Sequence, residues 1–190
     1  WTDEFRGNKY PRVCDLRYVK ILYAFTKMLD DTRPCVDSSG GYHTDETDLY
    51  DFHTYDGIEK AEKYLSAFES EGKLVMPLLM PEKAECRAAA YRPGQPVMAS
   101  EYGGIAYDPE ASGWGYAAAA TPKELAGKAA ELSRVYMNCP KLSGMCYTQL
   151  YDVEQEKNGL YYYDRTPKMN ESEAEILRKV LRAPAKIEKE

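Results

Sequence analysis

Residues 96–104 read PVMASEYGG. A proline, a short apolar run, one glutamate and two glycines follow in that order, and this order constrains the fold more than any other stretch. The run suits a strand buried in a parallel sheet, whose residues read as a continuous apolar block. The glycines permit a tight exit. Glu101 then stands at the carboxyl end of a strand, where α/β barrels carry catalytic groups. A glutamate in a loop that caps the next helix would show the same local pattern.

The flanking segments alternate in type. Over residues 13–29, Val13, Leu16, Val19, Leu22 or Tyr23, Thr26 and Leu29 form a helical stripe, which Pro34 prevents from continuing. Cys35, Val36 and Asp37 read as a short strand closed by Ser38, Ser39 and Gly40. Residues 48–53 read as a second strand, and Ile58, Ala61, Tyr64, Leu65 and Phe68 mark a helix after it. Residues 77–96 carry Pro77, Pro81, Pro93 and Pro96 and read as irregular, with a short helix around 85–90. Residues 108–120 form a loop rich in Gly and Ala with Trp114 at its centre.

Thr121, Pro122 and Glu124 make a helix start with a capping box, and Leu125, Ala129, Leu132 and Tyr136 give that helix its buried face. Residues 144–150 read as a fourth strand. A last helix over 171–182 is expected to turn Ile176, Leu177, Val180 and Leu181 inward, and the charged tail 186–190 is expected to fray. Strands that alternate with helices predict an α/β fold with a parallel sheet and right-handed crossovers. Four strands ending in polar loops look like half of a TIM (β/α)8-type barrel. The 190 residues suit one domain, whereas a whole barrel usually needs ~250.

The net charge of −6 argues against a nucleic-acid backbone as partner. No apolar stretch reaches the ~20 residues that span a bilayer, so no membrane partner is expected. No signal peptide is visible, and a cytoplasmic location is expected. The chain opens with Trp1 and is expected to be cut from something longer. Its five cysteines are odd in number and form no CxxC pair, which fits reduced thiols better than a disulfide framework or zinc site. No cofactor and no metal is expected. Residues 43–48 (HTDETD) read as an acidic surface loop rather than a metal loop.

If the four strands run parallel, their polar ends converge. They bring Asp37, Ser38 and Ser39, then His53 and Tyr55, then Glu101, then Thr148, Gln149 and Asp152, with Tyr102, Trp114 and Tyr147 nearby. Sugars ask for such a mixture of hydrogen-bonding groups and flat apolar faces. Polar loops gather at that end of any α/β fold, which is the plainer explanation for the set without Glu101.

Several segments resemble the catalytic barrel of family 2 glycoside hydrolases, the β-galactosidase and β-glucuronidase group. They are residues 27–34 (KMLDDTRP), 48–55 (DLYDFHTY), 96–104 (PVMASEYGG) and 144–168 (GMCYTQLYDVEQEKNGLYYYDRTPK), in the family's order. The resemblance implies the second half of the barrel, strands five to eight with their helices. It implies a retaining β-glycosidase, with β-galactosidase as the first choice. Glu101 would be the nucleophile, with Tyr55 as its hydrogen-bonding partner. His53, Trp114, Gln149 and Asp37 would be sugar contacts, and a β-galactoside or related carbohydrate the partner.

The chain departs from the family in one respect. The family's acid/base glutamate sits in an Asn-Glu pair at the end of strand four, and residues 1–5 (WTDEF) resemble the sequence just after that pair. The Asn170-Glu171 pair follows the last strand and reads as a helix cap. Retaining hydrolysis needs two carboxyl groups ~5–5.5 Å apart, so the chain alone is expected to be inactive or very weak, with Glu4 and Glu46 as the spare carboxylates. The alternative is a non-catalytic sugar-binding or assembly half-barrel that associates with itself or with a complementary chain through its open edges.

Overall fold

The computed structural model describes residues 16–40, 43–72, 74 and 90–189. Val13, Cys14, Cys86, Glu4 and the helix expected at 85–89 lie outside them. The described elements run α1 (Leu16–Leu29), β1 (Tyr50–Thr54), α2 (Ile58–Glu71), β2 (Val97–Gly103), β3 (Ile105–Ala106), β4 (Ala117–Ala118), α3 (Pro122–Met137), β5 (Leu142–Thr148) and α4 (Glu171–Leu181). Strands β1, β2 and β5 form a parallel sheet in that order, and β3 pairs β4 in a small parallel ribbon. The chain is thus a mixed α/β fold with parallel strands in small sheets.

One expected strand is absent. Residues 35–37 form no ladder; they are loop. The Cys35 carbonyl accepts from the Asp48 N–H at 3.1 Å, and the Cys35 N–H donates to the Asp48 carboxylate at 2.8 Å. Asp37 gives both carboxylate oxygens to His43 and to the Thr44 N–H. Local side-chain-to-backbone bonds have replaced a strand ladder, as short polar residues allow. The last expected strand begins and ends two residues earlier than its apolar run suggested.

The helix starts follow from capping chemistry. Thr121 accepts from the Glu124 N–H at 3.1 Å ahead of Pro122. Glu124 reaches back to the Ala120 N–H at 2.7 Å, one residue further than a reciprocal box. At α4 the box is complete: Asn170 accepts from the Glu173 N–H and Glu173 from the Asn170 N–H. Asn170 is therefore a cap, as its position implied.

One face of the sheet packs on α2 and α3. Phe52, Val97, Ala99 and Tyr102 meet Ala61, Leu65 and Phe68 of α2 and Leu132 and Tyr136 of α3. Three buried tyrosine hydroxyls are satisfied there: Tyr64 pairs with Tyr136 at 2.7 Å and Tyr102 with Ser133 at 2.7 Å. Behind them α4 docks on α3 through Leu125, Ala129, Leu177 and Val180. Leu181, expected inward, is 46% exposed. The tail winds into a 3-10 turn over Lys186–Lys189, with Lys186 paired to Glu69 at 2.6 Å, instead of fraying.

The stripe on α1 is not core. No residue of α1 is buried: of the stripe, Leu16, Val19 and Tyr23 are half-buried and Leu22 and Leu29 are 44% and 70% exposed, while Ile21, Phe25 and Met28 outside the stripe are 54–71% exposed. The helix is held through its polar face: Tyr23 donates to Asp48 at 2.9 Å and Lys27 to the same carboxylate at 3.2 Å. No helix among the described residues is long and apolar enough to cross a membrane.

Phe68 is fully buried, so Phe68→Ala should cost about 3–5 kcal/mol in urea denaturation. Phe25→Ala on α1 should change stability by no more than about 0.5 kcal/mol. Equal losses would contradict the division between core and exposed helix.

Candidate active site

The site starts from a break in strand register. β1 pairs β2 as Tyr50 with Val97, Asp51 with Met98 and Phe52 with Ala99, and then His53 pairs with Glu101. Ser100 is the extra residue. Burial along β2 shows the consequence: Val97, Ala99 and Tyr102 are buried, while Met98, Ser100 and Glu101 are partly open. The irregularity turns Ser100 and Glu101 to the same side, away from α2 and α3, and returns Tyr102 to the core. On β1 the alternation sends Phe52 toward α2 and Asp51 and His53 to the side of Glu101.

Glu101 accepts a short hydrogen bond from the Tyr55 hydroxyl, and its Oε2 lies 3.3 Å from His53 Nδ1. Its side chain keeps 36% exposure, so solvent and a ligand can reach it. Burial and the adjoining Glu101 charge push the Tyr55 hydroxyl far above its ordinary value, so it stays a proton donor. The Tyr55 ring stacks on Tyr116 at 3.7 Å and 3°, and Trp114 meets Tyr116 edge-on at 5.5 Å. Trp114 is 49% exposed and anchored by its backbone to Gln155 and Lys157 at 2.8 Å each.

Two glycines make this wall possible. Gly103 and Gly104 have φ of 109° and 67°. A Cβ on Gly104 would lie 2.6 Å from Tyr116 and 2.8 Å from Tyr55; one on Gly103 would lie 2.5 Å from Tyr147. The pair thus serves both the turn and the close approach of the rings.

Asp37 sits differently from its expected place. Its side chain is fully buried, and both oxygens are taken, by His43 Nδ1 at 2.7 Å and the Thr44 N–H at 2.6 Å. It has no oxygen left for a sugar. His43, Thr44 and Thr47 are buried as well, so residues 43–48 are not simply an acidic surface loop. Burial pulls the His43 imidazole down, but hydrogen bonds to Asp51 and Asp37 outweigh it and raise the group to about 9. Burial works to raise both aspartates; the His43 contacts win and hold them below the carboxylate range.

Gln149 follows β5 and donates to Asn158 Oδ1 at 2.7 Å, while Asn158 donates to Glu156 at 2.9 Å. Asp152 is turned inward: it accepts from Lys168 at 2.7 Å and the Gly159 N–H at 3.0 Å, holding the 151–168 loop together. Burial lowers Lys168 below its ordinary value.

The structure therefore brings Glu101, Tyr55 and His53 into contact, sets Trp114 one ring away, places Gln149 after β5, and withdraws Asp37. Sequence reasoning missed Tyr116, His43 and Asp51. Tyr116 had a signal, two residues from Trp114 in a glycine-rich loop that closes on a paired glycine. For His43 and Asp51 the signal was weak, because polar residues beside a strand read as surface.

No protein-family model matches the chain, and no curated protein matches it. Solved structures do. The β-glucuronidase of Lactobacillus rhamnosus is similar at 18% identity and a TM-score of 0.56 over 90% of this chain and 30% of that one. The Bifidobacterium dentium β-glucuronidase, complexed with coumarin-3-O-glucuronide, is similar at 19% and 0.53 over 89% and 27%. Bacteroides uniformis β-glucuronidase 2, covalently bound to cyclophellitol-6-carboxylate aziridine, is similar at 19% and 0.52 over 80% and 18%. The likeness is one of fold, and this chain spans less than a third of their lengths.

Two outcomes follow from the geometry. The His43 imidazole is raised in the folded state, so its contribution is complete below its unfolded value of about 6.5 and is lost as pH rises through about 9. Chemical denaturation at pH 6, 8 and 10 should show a decline of roughly 3 kcal/mol attributable to this group, and His43→Gln should flatten that limb. Gly104→Ala should separate the Tyr55–Tyr116 stack and cost about 1–3 kcal/mol, read by the tyrosine near-UV circular dichroism; an unchanged band would contradict the close-approach argument.

Proposed function

We propose that this chain is the part of a retaining β-glycosidase that carries the nucleophile, Glu101, and that its parallel strands are strands five to eight of a (β/α)8 barrel less one regular ladder. The observation that carries this reading is the carboxylate on β2, reachable by solvent and fixed by the Tyr55 hydroxyl. The fold likeness to bacterial β-glucuronidases supports it.

In this reading one Glu101 oxygen attacks the anomeric carbon as the bond to the leaving oxygen breaks, giving a glycosyl ester. Tyr55 holds the other oxygen and does not give up its own proton. Water then cleaves the ester. Protonation of the leaving oxygen and activation of that water need a second carboxyl group. Glu46 is exposed and pairs with Lys20 on α1, and Glu4 lies outside the described residues. A segment upstream in the parent protein would supply the acid. The Tyr116–Trp114 wall would stack the pyranose ring, with Gln149 reaching its hydroxyls, while His53, whose side chain is only 6% exposed, backs Glu101 instead of meeting the sugar as expected. β-Galactosides and β-glucuronides are both tested as substrates.

A reading as an assembly module is favoured by the exposed apolar side of α1; sedimentation that shows a compact monomer at all concentrations would remove it.

A 2,4-dinitrophenyl 2-deoxy-2-fluoro-β-glycoside has a leaving group that departs without an acid, so it isolates the first step. Incubation should add one fluoroglycosyl group to the chain, mapped by peptide mass spectrometry to Glu101 and abolished by Glu101→Gln. Nitrophenyl β-glycosides should turn over only slowly. No adduct, or one elsewhere, would sink the nucleophile assignment; fast turnover by this chain alone, lost in Glu101→Gln, would sink the missing-acid argument.

A further inference from the structure

Behind the atoms that would meet a sugar, the chain buries a second group of ionisable side chains. His43 is fully buried, with Asp37 Oδ1 2.7 Å from Nδ1. Its Nε2 faces the Asp51 carbonyl at 2.7 Å and the Asp51 Oδ1 at 3.0 Å. Both ring nitrogens therefore face acceptors alone, and only the imidazolium satisfies both. The Tyr50 ring, 4.8 Å away, and Thr44 complete its surroundings.

The other Asp51 oxygen, Oδ2, gathers the loop before β1. It accepts from the Gly40 N–H at 3.0 Å and, most closely, from Ser100, while the Ser39 hydroxyl lies 3.3 Å from it. Gly40 has φ of 87°, and a Cβ there would lie 2.6 Å from His53 Nδ1, so the loop rests directly on the His53 ring. Ser39 Oγ is 3.0 Å from His53 Nε2. The remaining groups facing His53 are Glu101 at 3.3 Å and Asp51 at 4.0 Å, with Tyr55 beyond Glu101.

One hydroxyl carries one proton. With Asp51 Oδ2 already supplied by Gly40 and Ser100, the Ser39 proton is free for His53 Nε2. That choice places the His53 proton on Nδ1, the nitrogen that faces Glu101 Oε2 at 3.3 Å. The opposite choice would point a nitrogen lone pair at a carboxylate.

We propose that Asp37, His43 and Asp51 form a buried charge cluster that positions Ser39 over His53 and so fixes the Nδ1–H tautomer that His53 presents to Glu101. These are positioning residues for the site, and the inference builds on the reading of Glu101 as the nucleophile. Its test is independent of turnover.

The chain has only two histidines, so 15N-histidine long-range NMR separates cation, Nδ1–H and Nε2–H forms cleanly. At pH 7.5 one ring, assigned to His43 by its loss in His43→Gln, should be doubly protonated, and the neutral form of the other ring should carry its proton on Nδ1. Asp37→Asn should convert His43 to a neutral ring and shift the His53 tautomer ratio at least several-fold toward Nε2–H. Ser39→Ala should make the same shift at His53 while leaving the His43 cation intact. A neutral His43 in the parent protein overturns the proposal. So does a His53 tautomer that is unchanged in folded Asp37→Asn, or, should that variant not fold, unchanged in Ser39→Ala. If these spectra behave as expected while no fluoroglycosyl adduct forms at Glu101, the glycosidase reading fails and the cluster stands.

Discussion

The pairing of β1 with β2, and its one-residue slip at Ser100, is the constraint on which the site depends. In a regular parallel ladder side chains alternate faces. A residue following Ser100 in strict alternation would point at α2 and α3, where Tyr102 and Ala99 are packed. The slip lets Glu101 share Ser100's side and stand level with His53. The core does not suffer, since Tyr102 resumes the buried face and bonds Ser133. One irregular residue thus separates a packed face from a chemical one on the same strand.

The loops after the strands turn that placement into a shaped site. Gly104, with positive φ, leaves room for Tyr55 and Tyr116 to lie face to face, and Gly103 does the same for Tyr147. Stacked rings are stiff, with few torsions to freeze, so the Tyr55 hydroxyl meets Glu101 from a fixed direction. On the β5 side the buried Asp152–Lys168 pair performs a similar task at higher electrostatic cost. Its charges are supported by the Gly159 N–H and the Lys157 carbonyl, which closes the 151–168 loop that carries Asn158 next to Gln149.

What was legible in the sequence was what short-range physics decides. The α2 and α3 faces follow apolar spacing: the residues it selects are buried except the half-buried Ile58, and Ala126, Ala130 and Ser133 are buried besides. The cap at Asn170 follows from one side chain and its neighbours three residues on. The contact between Glu101 and Tyr55 was legible only through family resemblance, because it joins residues 46 positions apart. The failures share a cause. Asp37 and His43 were read as strand end and surface loop since no pattern in their neighbours reveals that two polar groups six residues apart will pair in the interior. The α1 stripe has the right period, but period does not say whether a partner surface is present to cover it. Leu181 fails likewise, lying at the last turn of α4 where the packed surface of α3 has ended.

A carboxylate placed near another buried carboxylate is opposed by it, and His53 alone separates Asp51 from Glu101, at 4.0 and 3.3 Å. His43 lies on the far side of Asp51, 3.0 Å from its Oδ1, while the Gly40 N–H and the Ser100 hydroxyl spread the charge of Oδ2 over hydrogen bonds. Glu101 itself meets the Tyr55 hydroxyl and faces His53 Nδ1. The fold thus sets the buried charges in order, with Asp37 behind His43 and His43 behind Asp51, and keeps the half-exposed carboxylate of Glu101 at the outer end of that row, where its direct hydrogen bond is to a hydroxyl.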